Sequence, residues 1–201
     1  MLDGGCGLGS STRYPASEHG CLATGTDLAR EYVEVANDLA ARVGSDDRVA
    51  FCQGSALAMP FDDGAFDIIW TEHVQMNIKD KEAFHREMAR VFRPGGRFLF
   101  YDIFAGDGGS LPLPVPWAEE GSISFLAPPS IVRDLLEALN FSSLEREDSS
   151  RAALDWFRPT VDKLKEHGPP PLGLHLLMGD NAKEKFRNQM ISFQEHRMTV
   201  T

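Results

Sequence analysis

The densest chemical signal in this 201-residue chain lies at its start, in Asp3-Gly4-Gly5-Cys6-Gly7-Leu8-Gly9. Glycines at 5, 7 and 9 allow positive φ and let the backbone come close to a ligand without Cβ atoms in the way. Amides at a strand-to-helix turn point outward and can hold a carboxylate or a phosphate. Asp3, at the strand end, can accept from a ligand ammonium or brace the loop. A second acid, Asp27, follows Gly9 by 18 positions and closes the next apolar run. There a carboxylate can take hydrogen bonds from both hydroxyls of a ribose. It also suits the N-terminus of a helix beginning near Leu28, where the dipole favours an acid. Spacing separates two classes of ligand. A dinucleotide turn needs G-x-G-x-x-G, and Gly5-Cys6-Gly7-Leu8-Gly9-Ser10 puts serine where the third glycine belongs.

These residues need a scaffold, and the first two-thirds of the chain supplies one. Short apolar runs alternate with amphipathic stretches, the pattern of βα units on a parallel sheet. Strands are predicted at Met1 to Asp3, Cys21 to Thr26, Val49 to Cys52, Phe66 to Trp70 and Arg97 to Phe104. Helices are predicted at Ala29 to Val43, ended by Gly44, and at Lys81 to Phe92, ended by Arg93-Pro94-Gly95-Gly96. Pro15 falls inside the first crossover helix, where an interior proline costs ~3 kcal/mol. Pro129 to Leu139 reads as a helix and Phe141 to Arg146 as a strand. Helices at Arg151 to His167 and Asn181 to His196 follow, before a short β-prone end. The expected fold is α/β: a Rossmann-like, doubly wound, mostly parallel sheet with helices on both faces and a late helical insertion before the last strand. It forms one domain over 1–201, with a ligand-binding core at 1–147, the insertion at 148–195 and the start of the final strand at 196–201.

The pattern D-x-G-x-G-x-G resembles the first motif of the class I S-adenosylmethionine-dependent methyltransferases, and three further segments resemble their small-molecule branch. Gln53-Gly54-Ser55-Ala56-Leu57-Ala58-Met59-Pro60-Phe61 is similar to the stretch that lies against the adenine. Phe66-Asp67-Ile68-Ile69-Trp70 is similar to the fourth strand, and Arg90 to Arg97 to the turn before the fifth. Thr71 to Ile78 resembles the corresponding run in relatives of the sarcosine and dimethylglycine N-methyltransferases. The resemblance implies S-adenosylmethionine as cofactor and S-adenosylhomocysteine as product. It places Asp3, Gly5, Cys6 and Gly7 about the methionine moiety, Asp27 on the ribose and Leu28 on the adenine. Gly54, Ser55 and Ala56 would line the adenine edge, with Thr71 and Glu72 beside the ribose and sulfonium. Ser55 stands where the family usually has an aspartate, and a neutral hydrogen bond is weaker by ~1 kcal/mol than a charge-assisted one. His73 is the candidate catalytic base, since imidazole titrates near neutral pH; a purely structural hydrogen bond is the competing role.

Composition bounds the partners. With 20 Lys+Arg against 30 Asp+Glu, the formal charge of −10 repels phosphate backbones, so no nucleic acid partner is expected. No apolar run approaches the roughly 18 residues that span a bilayer. Cys6, Cys21 and Cys52 lack metal-site spacing and read as reduced thiols of a cytoplasmic protein, with no metal. The expected partner is a small-molecule methyl acceptor, with an amine nitrogen first. A protein that binds the cofactor without transferring methyl is the alternative, and a nicotinamide oxidoreductase is disfavoured by Ser10. The helices that precede the first strand in this family are missing and the last strand only begins at Met198, so truncation at both ends is expected.

Overall fold

The computed structural model describes residues 1–201, apart from the side chains of Thr160, Leu164 and Lys165. In chain order the strands are β1 (Leu2–Gly4), β2 (Ala23–Asp27), β3 (Val49–Gln53), β4 (Phe66–Glu72), β5 (Phe92–Tyr101), β6 (Ile103–Ala105) and β7 (Met198–Val200). The helices are α1 (Ser10–His19), α2 (Arg30–Arg42), α3 (Lys81–Val91), α4 (Pro129–Ala138), α5 (Ser150–His167), α6 (His175–Met178) and α7 (Ala182–Gln194). The chain divides into two compact units. Among the described residues no helix is long and apolar enough to cross a membrane.

The first unit holds Met1–Val74, Asp80–Asp102 and Leu135–Asn140. Its five strands form one sheet in the order β3-β2-β1-β4-β5. All four pairings are parallel. The order reverses between β1 and β4, the place where open α/β sheets bind ligands at the carboxyl ends of their strands. Burial on both faces explains why β1 needs only Leu2-Asp3-Gly4, all buried. Helix α2 buries Val33, Ala36 and Ala40, spaced three and four apart so that one face packs down. They join Cys6, Ala16, Ala23, Val49 and Phe51 in a single core cluster. Helix α3 starts on Asp80, whose side chain accepts from the Ala83 N–H at 2.9 Å, and buries Phe84, His85, Met88 and Val91.

Arg90, near the end of α3, ties down the loop between β3 and β4. Its guanidinium donates to the Phe61 and Met59 carbonyls at 2.7 and 3.1 Å, to Asp63 at 2.8 Å, and to Glu87 at 2.6 Å. Glu87 in turn accepts from the Met59 N–H at 2.6 Å. Every strong donor direction of the fork is used. Replacing Arg90 with alanine is expected to lower unfolding stability by about 2 kcal/mol, because it leaves the loop carbonyls without their donor and takes the guanidinium from Glu87. Chemical denaturation measures this; a loss below about 0.5 kcal/mol would show the fork to be ornamental surface charge.

The second unit holds Gln75–Lys79, Ile103–Asp134 and Phe141–Thr201. Strands β6 and β7 pair antiparallel, Ile103 opposite Val200. Phe157 of α5 lies 6.3 Å from both Phe186 and Phe193 of α7, ring centre to ring centre, which packs the two helices together. The turn at Gln75–Asn77 is fixed by Asn77, whose amide donates to the Trp117 and Ile123 carbonyls at 3.0 and 2.8 Å.

Two expectations need correction. The predicted strand from Arg97 to Phe104 begins earlier, at Phe92, and breaks at Asp102 into β5 and β6. Asp102 is fully buried with its carboxylate turned back to accept the Val74 N–H at 2.9 Å, so the chain leaves the parallel ladder there. Residues 141–146 adopt no regular secondary structure. Pro15 lies inside the first crossover helix as expected, and α1 runs through it from Ser10 to His19. Only the hydrogen bond from position 15 back to Ser11 is forfeited, and the buried Thr12 and Ala16 still anchor the helix.

Candidate functional site

The glycine turn is built from the end of β1 and anchored on β2. Gly5 and Cys6 both donate their N–H to the Thr26 carbonyl, at 2.7 and 3.0 Å, and Gly9 N–H returns to the Cys6 carbonyl at 2.8 Å. Gly5, Gly7 and Gly9 have φ of +83°, +52° and +76°, the left-handed region that L side chains disfavour. Their surroundings differ. A Cβ on Gly5 would sit 2.4 Å from Val74 Cγ2, and one on Gly9 would sit 2.4 Å from Phe51 Cζ. Among the described residues, a Cβ on Gly7 would meet nothing within 4 Å. Packing therefore accounts for Gly5 and Gly9, while Gly7 faces open space.

Three carboxylates converge on this turn. Asp3 is 1 % exposed and its Oδ2 accepts from the Thr12 hydroxyl at 2.6 Å. Burial pushes its carboxyl up to about 6, the Thr12 hydrogen bond lowers it, and the charges of Glu72 and Asp27 raise it again. Asp27, at the end of β2, accepts the Gly7 N–H on Oδ2 at 2.8 Å and the Ala29 N–H on Oδ1 at 2.9 Å. That pattern makes Asp27 at once the brace of the glycine turn and the cap of the segment entering α2, with oxygen lone pairs to spare. Glu72, at the end of β4, accepts from the Ser11 hydroxyl at 2.5 Å. Cys6 is buried and its thiol is pushed up to about 12, by burial first and then by the charges of Asp3 and Asp27.

The loop after β3 borders the end of β2. Gln53 donates from Nε2 to the Leu28 carbonyl at 3.0 Å, and Gly54 N–H to the Asp27 carbonyl at 2.9 Å. A Cβ on Gly54 would lie 2.6 Å from Thr26 Oγ1. Leu28 is 72 % exposed, leaving an apolar side chain beside Asp27 with most of its surface open. Ser55 is half-buried, but its hydroxyl accepts the Leu57 N–H at 3.2 Å within its own turn, and Ala56 follows in that turn. The hydroxyls of Thr26 and Thr71, both buried, have no hydrogen-bond partner among the described residues. Gly4 pairs with Thr26 in the sheet, and the Thr71 methyl lies 3.3 Å from a Cβ placed on Gly4. Two unmet polar groups thus flank the strand that leads into the turn.

His73 follows β4 with a φ of +55°, an uncommon state for a residue other than glycine. Its N–H donates to the Tyr101 carbonyl at 2.9 Å, and its ring meets the Tyr101 ring edge-on at 5.3 Å. The adjoining Val74 N–H is held by Asp102, so both peptide groups after β4 hang on the end of β5. The side chain itself is exposed. A strained backbone over-determined by neighbours is characteristic of functional positions. The remaining histidines fall elsewhere: His85 is buried with Nδ1 2.8 Å from the Lys81 carbonyl, while His19, His167 and His196 are exposed and His175 is half-buried. Trp117 is half-buried and donates to the Ser124 hydroxyl at 3.1 Å.

The structure thus brings Asp3, Gly5, Cys6, Gly7, Asp27 and Glu72 about one turn, with Thr71 beside it and Leu28 and Gly54 along the edge of β2. Sequence reasoning missed Ser11, Thr12, Tyr101 and Asp102. For the first two a signal existed: paired hydroxyls in the first turn of a helix directly after a carboxylate-led glycine turn. Asp102 lay inside an apolar run and carried no such signal.

A family model described as a methyltransferase domain matches residues 2–100. Over those residues the chain is similar to the methyltransferase-domain family. The chain is similar to the sarcosine/dimethylglycine N-methyltransferase of Halorhodospira halochloris, with 29% identity over 148 residues, 74% of this chain and 53% of that protein. It is similar also to the chloroplastic tocopherol O-methyltransferase of Arabidopsis thaliana, 39% identical over 99 residues, 49% of this chain and 28% of that protein. The chain spans between about a quarter and about half of the length of the curated relatives it matches. In fold it resembles phosphoethanolamine N-methyltransferase 2 of Haemonchus contortus, solved with S-adenosyl-L-methionine, at a TM-score of 0.82. The identity there is 18%, with 100% of this chain and 46% of that chain covered. The family resemblance and the Rossmann-like, mostly parallel fold read from the sequence are both borne out.

Proposed function

We propose that the chain binds S-adenosylmethionine at the glycine turn and transfers its methyl group to a small-molecule acceptor, an amine nitrogen in preference to a hydroxyl. One observation carries this reading: Gly7 opens onto free space while Asp3, Asp27 and Glu72 converge on the same turn. Carboxylates that repel one another around an accessible backbone favour a cationic ligand. An adenosyl sulfonium with an α-ammonium group carries two positive charges and a ribose diol, which is the chemistry this set can satisfy. Asp3 and the Gly5 and Gly7 backbone would hold the amino-acid end. Asp27 would take the ribose hydroxyls on its remaining lone pairs, and Leu28 would cover the adenine. The Thr26 and Thr71 hydroxyls add unmet hydrogen-bonding capacity beside the turn. Ser55 is the weakest member of the fit, because its hydroxyl is already engaged by Leu57.

When bound, this cofactor supplies an electrophilic methyl group and departs as a neutral thioether. The chain's own task is to hold the acceptor in line, exclude water and take up a proton. An amine attacks only when neutral, so a base within reach of its N–H accelerates the step. His73 is the residue proposed for that role, with its backbone fixed by Tyr101 and Asp102 and its ring exposed. The similarity to a sarcosine/dimethylglycine N-methyltransferase, over 148 residues, supports an amine acceptor. Three thiols without a disulfide suit a cytoplasmic setting.

The test is formation of S-adenosylhomocysteine on incubation with S-adenosylmethionine and a panel of primary, secondary and phenolic acceptors. Turnover with an amine is expected, and His73→Gln should lower kcat by about 100-fold with cofactor affinity unchanged. Cofactor binding with no product on any acceptor would support the alternative, a binding protein without transfer. Tight binding of NADH with none of S-adenosylmethionine would reverse the assignment.

A further inference from the structure

The acids and glycines of the turn have roles in cofactor capture; the residue that holds the most buried of those acids has none assigned. Thr12 lies in the first turn of α1, is fully buried, and gives its hydroxyl hydrogen to Asp3 Oδ2 at 2.6 Å. We propose that Thr12 is a positioning residue of the cofactor site, which fixes the Asp3 carboxylate in one orientation and keeps it anionic, so that capture of a cationic cofactor depends on this one hydroxyl. The inference rests on the reading of the turn as an S-adenosylmethionine site.

The surroundings of Asp3 make the hydroxyl necessary. From β2 it faces the carboxylate of Asp27 and from β4 that of Glu72, and both oppose its ionisation. Within the turn its neighbour is Cys6, a neutral thiol. From α1 the guanidinium of Arg13 is turned to the Leu8 carbonyl at 2.8 Å. From α3 the approach to β1 at Gly4 is made by Met88, an uncharged side chain. No ion pair among the described residues includes Asp3. With cations absent and two like charges near, the Thr12 hydrogen bond is the one contribution favouring the anion. Burial has already pushed the group up to about 6, so a small further rise would leave it half protonated at neutral pH. A protonated Asp3 loses its attraction for an ammonium or sulfonium and can no longer accept on that oxygen.

A structural tie between β1 and α1 would look the same in the folded state, and the pH profile separates the two roles. Affinity for S-adenosylmethionine is measured by calorimetry between pH 5 and pH 8.5 for the unaltered chain, Thr12→Val and Thr12→Ser, with melting curves at each pH. For the unaltered chain, affinity should be flat above pH 7 and fall by about 10-fold per unit below pH 6. For Thr12→Val the break should move up by about one unit, with affinity at pH 8.5 within about 3-fold of the original. Thr12→Ser, which keeps the hydroxyl, should restore the original break. Repeating the unaltered titration in two buffers of different ionisation enthalpy counts protons released; about half a proton is expected at pH 6. A uniform loss in Thr12→Val at every pH, or no proton release in the unaltered chain between pH 5 and pH 7, overturns the proposal. A chain that fails to bind the cofactor at any pH overturns the functional reading itself, a result visible without any variant.

Discussion

Asp3→Asn is expected to leave the protein more stable and nearly unable to bind S-adenosylmethionine. Asp3 has a folded-state carboxyl raised from 3.8 to about 6, so its ionisation opposes folding. Below pH 4 the group is protonated in folded and unfolded chains alike, and the penalty is absent. It grows from pH 4 to pH 6 and is complete above pH 6, where a shift of roughly two units is worth about 3 kcal/mol. Asparagine is isosteric, can accept from Thr12 and carries no charge. Denaturation of the variant should therefore show a gain rising from near zero at pH 4 to as much as ~3 kcal/mol at pH 8. Binding should move the other way, weakening by about 100-fold, since a buried charged partner is removed from a cationic ligand. A variant less stable than the parent at pH 8 would contradict the strain assigned to this acid. An unchanged affinity would remove Asp3 from the cofactor site. The opposed signs matter: a residue kept for packing alone has no reason to cost stability.

Gly7→Ala and Gly9→Ala should part company in the same way. At Gly7 the added methyl meets no described atom within 4 Å, so the folded state bears only the left-handed φ of +52°, about 1 kcal/mol. A ligand lying on the turn would meet that methyl directly, and affinity should fall by roughly 10- to 100-fold. At Gly9 the methyl would lie 2.4 Å from Phe51 Cζ and 2.5 Å from Cε1, in a core cluster with little room to give. There the loss is one of stability, about 3 kcal/mol or more, lowering the melting temperature by roughly 10 °C. Melting curves and cofactor titrations on both variants decide the matter. If Gly7→Ala binds S-adenosylmethionine as well as the parent, the open space above the turn is not where the cofactor lies.

The contrast between these two glycines shows how far the sequence could be read. Glycine at 5, 7 and 9 was visible as a ligand-binding turn, and Asp27 as its distant companion, because both depend on local spacing. The five parallel strands were legible for the same reason, each a short apolar run between turn residues. Which glycine serves packing and which serves a ligand was not legible, since that depends on Phe51 and Val74, far along the chain. Residues 141–146 show the converse error. A strand is expected there, yet a strand exists only where a neighbour supplies a ladder, and none of the ladders of β1 to β7 reaches that segment. Asp102 was hidden because one buried acid in an apolar run says nothing about the peptide it will hold. The left-handed backbone of His73 follows from that same hold and could not be read from the residue type.

The thiol of Cys6 sits in the middle of the ligand turn under two carboxylates, and its proton is held to about pH 12. At neutral pH only about one such group in 100,000 is thiolate, the only form that alkylating reagents and peroxides attack at a useful rate. The turn therefore carries a sulfur atom without becoming a redox liability. Cys21 and Cys52, neither of them fully buried, are the natural handles for attaching a fluorophore or spin label. Such a probe leaves the turn chemically intact, so ligand binding can be followed in solution on the unmutated chain.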